Sequence, residues 1–211
     1  GALMGWHPAL PFIATAFFAF LPQHLAIQSS VNNDSLAELL IAAGLLLLIY
    51  EVPTWRTAQP AQTLRFWPKT KTGRWLIIVL SLCLLTKVTA YLLILVVGIA
   101  IIFTSGWELR RIIYKGFETF TVPFLVGCLW WGRNLIVYGW PDFLGIEAHD
   151  AAVVGQPTTA EWIDQFGLQE VLRRFFQTTF RSFWGQFGWM EVVMPGWVYT
   201  ALAIFSIRSE E

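Results

Sequence analysis

Long apolar stretches separated by short polar ones run through most of the chain. A run of about 20 mainly apolar residues is long enough to cross the roughly 30 Å hydrocarbon layer of a membrane as one helix. The pattern therefore predicts an all-α, polytopic transmembrane bundle of about six membrane helices, two of them short. The apolar runs are 8–27, 36–52, 75–103, 117–131 and 192–207.

The run 75–103 is too long for one simple span, because 29 helical residues would extend over about 43 Å. A polar pair, Thr86-Lys87, interrupts it near the middle. Segment 53–74 before it carries five basic residues and no acid, and segment 105–116 after it carries three basic residues against Glu108. Such basic segments favour the cytoplasmic side. The run between them should therefore form two short helices that meet near Lys87.

Each membrane crossing moves the chain to the other side. Counting crossings from the two cytoplasmic segments places segment 32–34 and region 141–190 on the outer side. Six acids and no Lys or Arg lie between residues 141 and 170, which agrees with that side. Between 168 and 187, apolar residues recur at helical spacing, with polar residues on the other face. This pattern predicts an amphipathic helix in the outer interface or, alternatively, one packed on the bundle. Residues 1–211 are expected to form a single membrane domain, with 141–190 as its extracytoplasmic loop.

Composition supports a membrane protein. Charged residues make up only 13% of the chain, whereas soluble domains average about 25%. This low charge content argues against an ordinary soluble enzyme and against a disordered chain. The 14 basic and 14 acidic residues balance, which argues against nucleic acid as a partner. The 12 Trp residues suit long membrane–water boundaries.

Three polar clusters are expected to converge on the outer side of the membrane. Their residues are His24, Asn32, Asn33, Asp34, Thr86, Lys87, Arg133, Asn134 and Tyr138. Ionisable residues at membrane depth are costly and are usually functional or paired. Lys87 is the only charged residue between Arg74 and Glu108. It is a candidate for neutralising a lipid phosphate, and the alternative is a lysine that snorkels to the interface.

The other clusters also have a functional and a structural interpretation. Arg133 could bind a phosphate through two hydrogen bonds, or anchor the helix end beside Trp130 and Trp131. Segment 32–34 could hold a metal ion or sugar hydroxyls, yet Asp34 also suits the positive N-terminus of a following helix. His24 near the outer end of the first helix is either a binding residue or a structural histidine.

The order of these motifs resembles that in membrane glycosyltransferases of the GT-C type, especially bacterial relatives of protein O-mannosyltransferases and lipid A aminoarabinose transferases. The resemblance covers roughly residues 8–207. The matching pieces are Pro22-Gln23-His24 leading to Ser30-Val31-Asn32-Asn33-Asp34, then Leu84-Leu85-Thr86-Lys87, Gly132-Arg133-Asn134 with Tyr138-Gly139, and Phe183-Trp184-Gly185-Gln186-Phe187-Gly188-Trp189.

The resemblance implies transfer of a sugar from a polyprenyl-phosphate carrier to an acceptor on the extracytoplasmic side of a bacterial-type cell membrane. It implies that Lys87 and Arg133 contact the carrier phosphate within the membrane lipid. The implied sugar- or acceptor-binding residues are His24, Asn32, Asn33, Asp34, Asn134 and Tyr138. Asp34 is also the implied ligand of a divalent metal ion, the one candidate cofactor.

One family feature has no counterpart here. In this family the acidic catalytic residue lies in the first extracytoplasmic loop, between the first two membrane helices. The sequence starts at Gly1 and opens into an apolar run, which indicates a fragment that lacks an N-terminal part. The catalytic base is expected in that missing part, so the fragment alone should be inactive. Asp34 is the only alternative base within the chain.

Two other functions remain open on the sequence. A transporter or flippase-like protein for a lipid or sugar would line its path with intramembrane charges and place a broken helix at the site. Such a path should continue towards the cytoplasmic side, whereas the polar clusters identified here stop at the outer half. A non-catalytic membrane scaffold would tolerate loss of Lys87 and Arg133.

Overall fold

A computed structural model describes residues 9–29, 33–57, 64–153, 155, 157–187 and 191–208. Over these residues the protein is all-α, apart from a small antiparallel pair of strands, β1 (Gln186–Phe187) and β2 (Val192–Val193). The predicted fold class is thus confirmed. The chain forms two compact units. We call Asn32–Val154 the central unit, and Gly1–Val31 with Gly155–Glu211 the terminal unit.

The helices follow the apolar runs closely. In chain order, the described helices are α1 (Leu10–Ala19), α2 (Pro22–Gln28), α3 (Asp34–Thr57), α4 (Lys71–Thr86), α5 (Leu92–Thr104), α6 (Leu109–Tyr138), α7 (Ile146–Ala152), α8 (Thr159–Phe166), α9 (Leu168–Trp184) and α10 (Gly196–Arg208). The predicted amphipathic segment corresponds to α9. The region 141–165, read as a loop, contains two short helices, α7 and α8.

The run 75–103 is divided at Lys87, as predicted. Helix α4 ends at Thr86, and Lys87 itself has an extended backbone, with φ −159° and ψ 143°. A short 3₁₀ turn, Val88–Tyr91, then leads into α5. Because the extended residue reverses the chain between two helices of 16 and 13 residues, the segment forms a hairpin of short arms.

Helices α3 and α4 are antiparallel. The Asn33 side chain at the start of α3 donates to the carbonyl oxygen of Thr86 at the end of α4. At the opposite ends of the two helices, the Thr70 hydroxyl donates to Glu51. Helix α3 also approaches α5 closely, at Gly44, where a Cβ would collide with the side chain of Leu93.

Helix α6 runs parallel to α4. Near its start, the Lys115 ammonium donates to the carbonyl oxygen of Trp55 at the end of α3. Near its other end, the Trp131 indole donates to the Tyr91 hydroxyl in the 3₁₀ turn. The start of α3, the break at Lys87 and the end of α6 therefore lie at one end of the central unit, which we call the Lys87 end. The opposite end is the Glu51 end.

A core of aliphatic side chains from α3, α4 and α5 holds these helices together. Its most deeply buried members are Leu76, Leu80, Cys83, Ala90, Leu93, Val97 and Ile101. Fully burying one Leu, Ile or Val side chain contributes about 1.5–3 kcal/mol relative to leaving it exposed to water. This packing fixes the helix ends that carry the polar residues.

Fewer helices meet the criterion for a membrane span than the sequence predicted. Among the described residues, α3 and α6 are long and apolar enough to cross a membrane, and the pair α1–α2 would add a third if it forms one span. The prediction of about six exceeded this because α4, α5 and α10 have only 16, 13 and 13 residues. Each is shorter than the roughly 20 residues that a simple span requires.

The first apolar run is two helices rather than one. Helices α1 and α2 are bent by 62° relative to each other. The break has a local cause, because a residue before proline is driven out of the helical region. Leu21, directly before Pro22, accordingly has ψ 126°.

The terminal unit has its own small core. Leu21, Trp184 and Tyr199 are buried together, and Phe180 packs against them. The Tyr199 hydroxyl donates to the carbonyl oxygen of Gly185 and accepts from the backbone N–H of Met194. These contacts join α2, α9, the strand pair and α10.

Candidate functional site at the Lys87 end

Lys87 forms an ion pair with Asp34. The Lys87 ammonium donates to the Asp34 carboxylate across the gap between the break after α4 and the start of α3. Beside the pair, the Asn33 amide donates to the Thr86 carbonyl over 3.1 Å, which satisfies one of the last carbonyl groups of α4. Residues from two separate polar motifs of the sequence therefore form one cluster.

The ion pair remains open to solvent. The side chains of Lys87 and Asp34 are 33% and 40% exposed. Exposed ion pairs contribute only about 0–1 kcal/mol to stability, so a stronger anion could replace Asp34 at modest cost. Asp34 also lies in the first turn of α3, where the helix dipole favours a carboxylate. The structural and the functional interpretation of Asp34 are therefore compatible.

Arg133 is held in a fixed orientation on the last turns of α6. Its guanidinium carbon lies 5.3 Å from the Trp130 ring centre and 5.5 Å from that of Tyr138. Its Nη1 donates to Asn134 Oδ1 over 3.1 Å and to the Tyr138 hydroxyl over 3.3 Å. Within the described part of the chain, no carboxylate forms an ion pair with Arg133. The remaining N–H groups suit a planar anion.

The side chain of Asn134 has a structural role. Its side chain is 2% exposed, and its amide nitrogen donates to the carbonyl oxygen of Phe143 over 3.0 Å. Its oxygen already accepts from Arg133. Both polar groups of Asn134 thus tie the end of α6 to the following loop and to Arg133.

Asp142 fixes that loop from the other side. The carboxylate accepts from the backbone N–H of Ala148 over 2.9 Å. Burial alone would raise the pKa of Asp142, but the backbone N–H groups of Ala148, Glu147, Ile146 and Gly145 together hold it below its ordinary value. The negative charge therefore persists at the start of α7.

Two hydrogen bonds join the segments that carry the two polar clusters. The Trp131 indole donates to the Tyr91 hydroxyl over 3.2 Å, and Tyr91 donates to the Leu84 carbonyl over 3.0 Å. Trp131 lies two residues before Arg133, and Leu84 lies three before Lys87. The end of α6 is thus fastened to the Lys87 break, and both clusters occupy the same end of the central unit.

The remaining predicted site residues are not part of this cluster. His24 lies in the terminal unit, where its ring is 4.6 Å from that of Phe18 and its Nε2 is 3.4 Å from Gln28 Nε2. Asn32 lies outside the described residues. Among the described residues, no group of three or more His, Cys, Asp or Glu side chains could hold a metal ion, so none assembles around Asp34.

Sequence reasoning missed a polar cluster at the Glu51 end. Glu51 is 3% exposed, and its Oε1 accepts from the Thr70 hydroxyl over 2.8 Å, while its Oε2 has no hydrogen-bond partner among the described residues. Glu118 and Lys115 of α6 interact with it electrostatically. The signal was present in the sequence, because Glu51 is an acid close to the end of an apolar run.

This cluster corrects one argument from the sequence. The polar positions do not stop at the Lys87 end, since Glu51 is buried between helices at the opposite end. The distribution of polar residues therefore does not separate an enzyme acting at one membrane face from a transporter. The enzyme and the transporter must therefore be distinguished by the chemistry of the Lys87 end.

Comparison with known proteins adds no assignment. No protein-family model matches the chain, and neither a curated protein nor a solved structure matches it. A functional conclusion therefore rests on the geometry and charge of the site itself.

Proposed function

We propose that the Lys87 end binds the phosphate of a polyprenyl-phosphate-linked sugar, as part of an integral-membrane glycosyltransferase. The observation that carries the proposal is the solvent-open Lys87–Asp34 pair at the break between two short apolar helices. A cation there is fixed by the backbone and is countered by a carboxylate that an incoming phosphate can displace. Arg133 at the same end supplies a second, oriented cation.

The proposed chemistry follows from these charges. The acceptor hydroxyl oxygen attacks the anomeric carbon of the sugar, and the bond from that carbon to the carrier phosphate breaks. The phosphate leaves with the bonding electron pair, and a fixed cation at Lys87 stabilises the developing charge. The acceptor proton passes to a general base. Asp34, released from Lys87 by the phosphate, is the carboxylate at this end that can take that role.

The membrane placement belongs to the same proposal. We place α3, the α4–α5 hairpin and α6 in the membrane, with the Lys87 end on the extracytoplasmic side. The basic residues in segments 53–74 and 105–116 support this orientation, since both flank the Glu51 end. The short arms of the hairpin leave Lys87 below the outer surface, in a protein-lined recess.

A lipid or sugar transporter is the second candidate, and the Glu51 cluster specifically favours it. Charged groups at both ends of one helix bundle are the arrangement that a path across the membrane would use. Under this alternative, Lys87 would bind the same phosphate, but the sugar would stay attached to its carrier.

Reconstituted proteoliposomes test the proposal directly. The vesicles would contain polyprenyl-phosphate carriers bearing tritiated hexose or pentose, together with lipid and peptide acceptors. The resemblance implied an inactive fragment, but with Asp34 acting as the base we expect the label to leave the carrier and enter an acceptor. Lys87→Met should then reduce this transfer at least 100-fold, as loss of one charge-stabilising group typically does. Lys71→Met at the exposed start of α4 is the matched control and should leave transfer unchanged.

The outcome also decides between the two candidates. If the labelled sugar remains on its carrier but becomes accessible to membrane-impermeant periodate on the opposite side, the chain is a transporter. If neither transfer nor movement depends on Lys87, the proposed role of this lysine is wrong.

A further inference from the structure

Helix α9 leaves a stripe of large apolar side chains uncovered. At helical spacings of three, four and seven residues, Leu168, Leu172, Phe175, Phe176 and Phe183 are between 46% and 66% exposed. Exposed apolar patches of this kind mark surfaces that contact a partner or a membrane. The stripe runs along about 22 Å of the helix, from Leu168 to Phe183.

The opposite face of α9 is fixed in a charged state. Arg173 and Arg174 each hydrogen bond to Glu170, and these bonds lower the pKa of Glu170 to about 2. The Arg174 guanidinium also stacks on Phe166, 4.3 Å from the ring centre. Farther along, Arg181 lies over the Tyr199 ring. These arginines are engaged by Glu170 and by aromatic rings of α8 and α10, and they leave the stripe uncovered.

The terminal unit itself indicates what meets the stripe. At the C-terminal end of α9, the Trp184 ring lies 6.1 Å from that of Phe17 in α1, and the Gly185 carbonyl accepts from Tyr199 in α10. Both neighbouring helices also expose large apolar side chains, including Phe12 at 78% and Trp197 at 73%. The stripe therefore ends against two helices whose surfaces suit lipid rather than water.

We propose that the stripe inserts into the boundary between lipid headgroups and acyl chains, so that α9 lies in the membrane plane with Glu170 and its arginines in water. This extends the proposed function, on whose membrane placement it rests, by identifying which side chains meet lipid. Amphipathic helices with aromatic and leucine side chains on one face bind membranes in this orientation. The surface that covers the stripe is therefore the headgroup–acyl boundary of the bilayer.

Site-directed spin labelling in phosphatidylcholine nanodiscs tests this orientation. Single cysteines would replace Phe176 on the stripe and Gln177 on the polar face, in a chain carrying Cys83→Ala and Cys128→Ala. Each would carry a nitroxide, whose collisions with oxygen report lipid and whose collisions with a water-soluble nickel chelate report water. We expect the label at 176 to favour oxygen at least fivefold over that at 177.

Two results would overturn the inference. A label at 176 that meets the nickel chelate as often as the label at 177 would place the stripe in water. A label at 176 that meets neither reagent would mean that protein covers the stripe. A third label at the exposed Leu46 of α3 separates the claims. If position 46 reports lipid and 176 does not, only this inference fails, whereas water at position 46 would overturn the membrane placement itself.

Discussion

Lys87 shows how the setting of one residue decides its chemistry. The same lysine on a regular helix would extend along the surface and snorkel to the interface. Here the extended backbone at Lys87 interrupts the helix, and the side chain turns to Asp34 on another helix. The interruption thus converts a generic interfacial lysine into a cation at a defined position. Arg133 reaches a comparable state by stacking on Trp130 and Tyr138.

A second single residue, Asp142, is expected to stabilise the start of α7 through the hydrogen bonds that its carboxylate accepts. Its native-state pKa lies below the ordinary value, so its hydrogen bonds should be complete above about pH 4 and lost as the pH falls through the lowered pKa. We expect Asp142→Ala to speed amide hydrogen exchange in α7 several-fold at pH 6. Below the lowered pKa of Asp142, the variant and the parent protein should exchange alike.

The control for this prediction is Asp150→Ala, because the Asp150 side chain is 58% exposed and lies beyond the residues that Asp142 caps. It should leave exchange in α7 close to that of the parent protein at both pH values. Equal exchange in the Asp142→Ala variant and the parent at pH 6 would show that the carboxylate does not hold this loop.

At the scale of elements, the position of the Lys87 break depends on how α3 packs against the hairpin. Gly44 lets α3 approach the Leu93 side chain of α5, and Leu93 is only 1% exposed. A glycine at this point therefore sets the spacing between two helices that both lead to the Lys87 end. The hydrogen bond from Asn33 to Thr86 joins α3 to the other arm of the same hairpin.

Adding a methyl group at this contact should be destabilising. We expect Gly44→Ala to lower the free energy of unfolding by about 1–3 kcal/mol, as overpacking of a close contact typically does. Gly132→Ala is the matched control, because beyond its own helix backbone and chain neighbours no heavy atom of the described residues lies within 4 Å of the position its Cβ would take. Unfolding in mixed micelles of increasing SDS content measures both variants. Equal stability of the two would contradict the close approach.

For the whole molecule, the sequence was sufficient to predict the all-α class and the division of run 75–103 at Lys87. Both follow from local information, namely the length of apolar runs and the charges that flank them. It also indicated that the motifs around Asp34, Lys87 and Arg133 belong at one end of the bundle. In the structure they lie at one end of the central unit.

Features that depend on contacts between distant residues were not predicted. Glu51 meets Thr70 and the α6 charges only once three helices have packed. The hydrogen bond from the Asn134 amide to the Phe143 carbonyl likewise forms only when the loop after α6 has folded. The bend before Pro22 was readable from the proline, yet the length of the apolar run favoured one helix. The count of about six spans failed because hydropathy marks an apolar segment without fixing where its helix ends.

The central claim is that Lys87 binds a lipid-linked phosphate, and equilibrium binding of polyprenyl phosphate to the detergent-solubilised chain tests it most directly. A hydrogen bond to a charged group contributes about 1.5–3 kcal/mol, so Lys87→Met should weaken binding by about 10- to 100-fold. Lys71→Met should bind as the parent does, and polyprenol without phosphate should not distinguish the three proteins. Equal affinity of the Lys87→Met variant and the parent for polyprenyl phosphate would contradict the claim and favour a scaffold.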